Sequence, residues 1–161
     1  MTDESIVKIH IELPHHWATG GESMWAEDLG NDRYQICNVP FHAYGLNFKD
    51  IVIAKPQSDD QIPEILEVVE RSGNETIRLY FEDDVSEEEQ VKILDNICSI
   101  GASYERADKV FVAIDINQKG KYGAVYDSLQ HLEDDGKLNF ETCEMRVQGS
   151  FDDTPPDETE E

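Results

Sequence analysis

Positive charge is what this chain has least of. Among its 161 residues, 13 are Lys or Arg and 36 are Asp or Glu, which gives a formal net charge of −23. Six of the acidic residues fall in the last twelve positions, so the rest of the chain is still strongly acidic. An exterior of this sign repels phosphate backbones and anionic lipid, and it attracts cationic proteins in a salt-dependent way. The composition therefore excludes direct nucleic-acid and membrane-surface binding and favours a basic protein partner.

Cysteine and long apolar runs are also scarce. Cys37, Cys98 and Cys143 lie far apart and form no close pair of the kind that metal and redox sites use, so we expect reduced, buried thiols. No apolar stretch approaches the ~18 residues that a membrane span needs. Asp3 and Glu4 stand where a secretory signal would be basic and then apolar. We expect a cytoplasmic protein with no membrane segment.

The first part of the chain has the patterns of short strands. Residues 5–13 alternate between apolar and polar side chains, which is the period of a half-buried strand. Gly30, Asn31 and Asp32 have the backbone preferences of a tight hairpin turn between two further β-rich runs. Two more such runs follow, separated by a proline-bearing loop. Five short strands without a helix predict a small, SH3-like β-barrel over residues 1–73.

From Asn74 onward the sequence pattern predicts strand, helix, strand, strand, helix, strand, which is the βαββαβ order of ferredoxin-like domains. Ser86 is placed to cap the first helix, with Glu89 completing a capping box and Gly101 as its stop. The second helix is predicted over 121–133 and the last strand over 140–147. The chain is thus predicted to be α+β, with the ferredoxin-like domain at 74–148. The acidic, Pro-bearing segment 149–161 is predicted to be a disordered tail.

An aromatic loop between two barrel strands, residues 38–50, is the densest group of candidate binding residues. Aromatic side chains and a titratable histidine dominate binding hot spots, which favours a partner-contacting loop. The alternative is that the same aromatics plug the mouth of the barrel as part of its core. With an aromatic from the preceding hairpin, the predicted partner-binding residues are Trp25, Phe41, His42, Tyr44, Phe48 and Asp50.

No catalytic residue, metal or cofactor is predicted. The histidines of the first third have no spacing that fixes a ligand geometry, even with Glu22 added; they are His10, His15, His16 and His42. Cys37 stands five residues from His42 across Pro40, which matches no nucleophile and base arrangement. The many carboxylate pairs lie in polar loops, without the desolvation that a catalytic acid needs.

Eighteen positions carry a resemblance to a known family: Glu22, Trp25, Ala26, Arg33, Tyr34, Asn38, Pro40, Phe41, Ala43, Tyr44, Gly45, Asp50, Val52, Val69, Glu70, Arg71, Ser72 and Gly73. At these positions, and over about 5–147, the chain resembles a bacterial family catalogued as domain of unknown function 4265. The resemblance implies a bacterial cytosolic source and brings no established activity. The acidic second half is also similar in topology to protein inhibitors of ribonuclease E, which act by binding.

Taken together, these patterns predict a non-enzymatic acidic binding protein that engages and inhibits a basic protein, such as a toxin or a nuclease. Acidic patches around 82–89 and 133–135 would steer the encounter. One alternative is a small-ligand sensor or an enzyme with a pocket between the two halves, using His42, Tyr44 and Asp50. Another is that the acidity reflects a salt-adapted host and implies no basic partner.

Overall fold

The computed structural model describes residues 5–58 and 61–153, which form an α+β chain with two sheets and two helices. The chain divides into two compact units. Of the described residues, the first contains those up to Ser72 together with 144–153, and the second is the continuous stretch from Gly73 to Cys143. The division falls between Ser72 and Gly73, and residues 144–148 lie with the first unit.

The first unit is a barrel-like sheet of five strands: β1 (Ile6–Glu12), β2 (Gly21–Gly30), β3 (Arg33–Ile36), β4 (Ile51–Pro56) and β5 (Pro63–Glu70). Successive strands pair antiparallel in the order β1-β2-β3-β4-β5. The last strand returns to the first through a parallel pairing of His10 with Glu64. This pairing brings together two side chains that are 54 positions apart in the chain.

The alternation predicted for β1 is present in the structure. Ile9, Ile11 and Leu13 are buried in the core of the first unit, while the residues between them are more exposed. The predicted hairpin between β2 and β3 is also confirmed, because Asn31 and Asp32 take positive φ angles of 58° and 64°. Asn and Asp tolerate this left-handed region better than most residues.

The predicted disordered tail is wrong for residues 149–153. Phe151 is only 8% exposed and belongs to the core of the first unit. Its carbonyl oxygen accepts a hydrogen bond of 2.9 Å from the Tyr44 amide, and the buried Asp152 carboxylate accepts one of 2.8 Å from the His15 amide. One aromatic ring and one paired carboxylate thus anchor a segment whose composition favours disorder. Residues 154–161 of the predicted tail lie outside the described residues.

The second unit follows the predicted βαββαβ order: β6 (Glu75–Phe81), α1 (Glu87–Ser99), β7 (Ala102–Arg106), β8 (Phe111–Ile116), α2 (Tyr122–Asp134) and β9 (Leu138–Thr142). Its four strands form an antiparallel sheet in the order β7-β8-β6-β9. The last strand is shorter than predicted because it ends at Thr142. Buried residues of both helices, such as Leu94 and Leu129, share one core with the sheet.

The predicted Ser86 cap is present at the start of α1, but the predicted role of Glu89 in a capping box is not, because its carboxylate pairs with Lys137. The Ser86 hydroxyl accepts a 3.1 Å hydrogen bond from the Glu89 amide, and three glutamates occupy the first turn, where the helix dipole favours negative charge. Gly101, with φ of 108°, follows the end of the helix, where a residue without Cβ adopts this angle without strain. Within the described residues, no helix is long and apolar enough to cross a membrane.

Candidate functional site

The aromatic loop that joins β3 to β4 is held in place by one buried carboxylate. Glu22, on β2, accepts hydrogen bonds from three consecutive loop amides, those of Phe41 at 2.6 Å and of His42 and Ala43 at 3.0 Å each. Only 8% of Glu22 is exposed, so its charge is compensated chiefly by these backbone dipoles. The loop is therefore fixed at 41–43 by a side chain from another strand.

A second carboxylate, Asp50, closes the other end of the loop. Its side chain is fully buried and accepts hydrogen bonds of 2.9 Å from the amides of Asn47 and Ser72. The Arg71 guanidinium lies 3.7 Å from the same carboxylate and donates to the Gly45 carbonyl at 2.6 Å. Asp50 thus positions the backbone, and the prediction that it contacts a partner is wrong because its oxygens are buried and bonded.

Tyr44 is also a core residue. It is 0% exposed, and the Arg146 guanidinium lies 4.0 Å from the centre of its ring. Its hydroxyl accepts a 3.3 Å hydrogen bond from the indole of Trp17, and the His16 ring stacks at 5.8 Å. The ring and the hydroxyl are therefore engaged within the first unit. The prediction of Tyr44 as a surface anchor is wrong, and for this residue the core interpretation holds.

The other predicted residues differ in exposure. Trp25 is 49% exposed on β2, with the Lys8 ammonium 5.4 Å from the centre of its ring. Phe41, His42 and Phe48 are partly buried. The His42 ring meets the His16 ring edge-on at 5.1 Å, and the Lys49 ammonium lies 5.5 Å from the Phe48 ring. These four side chains keep the accessibility that binding a partner requires.

Trp25 and Phe41 line the same surface depression, which we call the Trp25 groove. It has a volume of about 290 Å³ and is lined by Lys8, Glu22, Ser23, Met24, Trp25, Asn38, Val39 and Phe41. The Asn38 side chain accepts the Trp25 amide at 2.6 Å and so ties the loop to β2. A volume at the low end of the ~300–1,000 Å³ range of ligand pockets suits one or two side chains of a partner. The predicted loop and hairpin residues include Trp25, Phe41 and Asn38 but not Lys8, which the pairing of β1 with β2 places opposite Trp25.

In the second unit, the two acidic runs predicted from the sequence come together. Lys137, just before β9, donates its side chain to Glu89 at 3.0 Å, and its carbonyl accepts the Glu82 amide at 2.9 Å. The hydrogen bond and charge of Glu89, with further contributions from Asp84 and Asp135, raise the pKa of the Lys137 ammonium. We define the acidic patch as Glu82, Asp83, Asp84, Glu87, Glu88, Glu89, Glu133, Asp134 and Asp135. One cation therefore lies among carboxylates from runs about 50 residues apart.

The prediction of buried thiols holds for Cys143, whereas Cys37 and Cys98 are only partly buried. Burial raises the pKa of the Cys37 thiol; a hydrogen bond with the Glu27 backbone lowers it in part, and the Glu27 charge raises it further. Burial likewise raises the pKa of Cys98, with a smaller contribution from Asp95. A nucleophilic cysteine needs the opposite shift, because the thiolate is the reactive species. Neither thiol is therefore activated for catalysis.

A comparison with solved structures found a similar fold, and a comparison with curated proteins found no match. A solved structure described as "Novel crystal structure of a hypothetical protein from Neisseria gonorrhoeae" is similar, with a TM-score of 0.67 and 14% sequence identity over 85% of this chain and 93% of that chain. At that identity the likeness shows the fold alone.

The family comparison covers the site. The family model described as domain of unknown function (DUF4265) matches residues 22–140, a range that includes the Trp25 groove from Glu22 onward and the whole acidic patch. This match confirms the resemblance inferred from the aromatic loop. The chain belongs to the DUF4265 family.

Proposed function

We propose that this protein is a non-enzymatic binding protein that engages and inhibits a basic protein partner, in the manner of immunity proteins and nuclease regulators. The observation that carries the proposal is the convergence of the acidic runs 82–89 and 133–135 around Lys137 in the second unit. Carboxylates from both runs, Glu89 and Asp84 from the first and Asp135 from the second, act on this one lysine. Clustered charge of one sign creates a local field, which speeds the encounter with a cationic surface more than scattered charge does.

The first unit supplies the apolar part of the proposed interface. Trp25 is about half exposed and already holds a cation, Lys8, over its ring. An arginine or lysine from a basic partner would use the same cation–π chemistry on this indole. Phe41 lies in the same groove. The hydrogen bonds that the Glu22 carboxylate accepts from the loop amides, which we call the Glu22 clamp, fix the Phe41 backbone before a partner binds. Ordering the loop before binding lowers the entropy cost of association.

We also propose a fold type for each of the two units and a cellular location for the protein. We infer that the first unit is an SH3-like barrel, because five short strands pair in sequence and the fifth returns to the first. We infer that the second unit is ferredoxin-like, because the order β7-β8-β6-β9 places its first and third strands at the centre of the sheet. A cytoplasmic location is proposed because reduced thiols persist there, and the three thiols form no disulfide in the described residues.

The test variant removes three negative charges from the acidic patch and leaves the ion pair between Glu89 and Lys137 unchanged. We propose the triple variant Asp84→Asn, Glu88→Gln and Asp135→Asn, in which all three side chains are exposed. Tagged full-length protein captures partners from a lysate of the source cells at low and at high salt, and the captured proteins are identified by mass spectrometry. We expect a basic protein that wild type retains at low salt and that the variant retains at least about tenfold more weakly.

The matched control removes the same charge elsewhere. Glu67→Gln, Asp95→Asn and Asp127→Asn are exposed positions outside the patch, so this triple variant has the same net charge as the patch variant. Any partner held by overall acidity would be lost equally from both variants. The proposal is wrong if both variants retain the same proteins in the same amounts, or if wild type retains none that responds to salt.

A further inference from the structure

We propose that His10, Glu12 and Glu64 form a binding site for a divalent transition-metal ion on the barrel of the first unit; none of the three lines the Trp25 groove. One ligand atom from each of the three side chains lies within 4.8 Å of the other two. His10 Nε2 is 2.5 Å from Glu12 Oε2. Ligands of one ion at ~2.0–2.2 Å bond lengths lie within about 4.4 Å of each other, so small side-chain adjustments suffice to complete the set.

The strands bring these ligands together. His10 and Glu12 are two positions apart on β1 and therefore point to the same side of the sheet. Glu64 is the parallel partner of His10 on β5. The Glu12 amide donates a 2.7 Å hydrogen bond to Glu64 Oε2, which holds that carboxylate beside β1. The donor set is thus fixed by backbone pairing and does not depend on a flexible loop.

The imidazole is oriented by groups that would not themselves bind the ion. His10 Nδ1 lies 3.0 Å from the hydroxyl of Ser23, its partner across the β1–β2 pairing. The short contact between His10 Nε2 and Glu12 Oε2 is a hydrogen bond, so a proton lies between them in the metal-free protein. When an ion replaces that proton, the tautomer that donates Nδ1–H to Ser23 leaves the Nε2 lone pair for the ion. Metal-ligating histidines are characteristically held in this way through their second nitrogen.

A glycine opposite Glu12 makes room for the ring. A Cβ placed on Gly21 would lie 2.9 Å from both Cε1 and Nε2 of His10. Any side chain at this position would therefore push the imidazole away from its present place. The absence of a side chain at Gly21 is a steric condition for the geometry of the three ligands.

The surroundings favour a cation and leave it accessible. The three ligands line a cavity of about 360 Å³ with Gln57, Gln61 and Ile62. None of the described residues that line the cavity is Lys or Arg. The nearest cation by strand pairing is Lys55, the partner of Glu64 on β4, and it is not part of the lining. One imidazole with two carboxylates suits first-row divalent ions such as Zn²⁺, and the cavity has room for water in the remaining coordination positions.

Zn²⁺ is the probe for the test. Equilibrium dialysis of the full-length protein, with metal analysis, measures the number of ions bound and their affinity for wild type, Glu64→Gln and Glu67→Gln. Glu67 is an exposed carboxylate on the same strand that lines no part of the cavity, so its variant has the same charge as the test variant. We expect one strongest site, retained in Glu67→Gln and weakened by a factor of about 100 in Glu64→Gln. Ser23→Ala should weaken it by about tenfold through the orientation of His10.

NMR of the wild-type imidazoles gives a readout that needs no substitution. One equivalent of Zn²⁺ should shift the Nε2 resonance of His10 while the other four histidines stay in place. The inference is overturned if Glu64→Gln and Glu67→Gln bind Zn²⁺ equally, because the metal would then be held by general surface acidity. It is equally overturned if the first equivalent leaves the His10 resonance unmoved.

Discussion

Replacing Glu22 with Gln should loosen the aromatic loop and destabilise the first unit. The carboxylate accepts three backbone amides in a site that is 8% exposed, and hydrogen bonds to a charged acceptor contribute about 1.5–3 kcal/mol each. The single side-chain oxygen of Gln can still accept the hydrogen bonds of the His42 and Ala43 amides, but its amino group then faces the Phe41 N–H, which also needs an acceptor. One buried donor is left unsatisfied and the remaining bonds lose their charge, so we expect a loss of about 2–4 kcal/mol.

The assay uses the position of the tryptophans. The chain contains two, Trp17 and Trp25, and both belong to the first unit, so their emission in urea reports that unit. With a urea dependence of about 1–3 kcal/mol per molar, the midpoint should fall by about 1–2 M. Glu67→Gln serves as the control, because an exposed carboxylate should change stability by at most about 0.5 kcal/mol. Equal midpoints for Glu22→Gln and the control would refute the clamp.

Two further predictions concern the second unit. Ser86→Ala should cost about 1 kcal/mol and speed hydrogen exchange of the Glu89 amide, since it removes the cap acceptor; an unchanged exchange rate would contradict the role of Ser86. At the β7–β8 turn, hydrogen bonds from the amides of Val110 and Phe111 lower the pKa of Asp108. Its stabilising contribution is therefore complete above the unfolded-state pKa and is lost as pH falls through the lowered folded-state value. Asp108→Asn should remove that part of the acid sensitivity, and NMR titration of the Asp108 carboxyl carbon should show the lowered pKa; an unshifted value would contradict it.

Local patterns predicted the elements of this chain well because each depends on neighbours in sequence. The alternation of β1, the turn at Asn31 and Asp32, and the Ser86 cap are all determined within a few residues, and the structure contains all three. Hydrophobic periodicity and capping chemistry act at this range. The order of strands and helices in the second unit followed from the same signals.

The candidate site was predicted only in part, because exposure is decided by contacts that are distant in sequence. Trp25 and Phe41 were identified by residue type and lie in one groove. Tyr44 has the same residue type but is buried, in part through contacts with Arg146 and Phe151 about 100 positions later. No local pattern distinguishes an aromatic that faces solvent from one that a distant segment covers.

The histidine and carboxylate cluster was missed for a related reason. His10 and Glu12 are visible as an alternating pair on a strand, but Glu64 joins them only through the parallel pairing of β1 with β5. Antiparallel neighbours in a meander can be inferred from chain order, whereas the pairing of a first and a last strand requires the whole sheet to curve. The ligand set therefore becomes apparent only when the three-dimensional structure is known.

The first unit draws on both ends of the chain, and this fixes an order of events during translation. The stretch from Gly73 to Cys143, with every strand of its own sheet, is synthesised before Phe151. The core of the first unit is complete only when the Phe151 ring is present. The His15 amide has its hydrogen-bond acceptor only when Asp152 is present. A nonsense codon between Cys143 and Phe151 would give a chain in which the second unit has all its strands while the first unit lacks the Phe151 ring and the Asp152 acceptor, and incompletely packed chains of this kind are degraded by proteases.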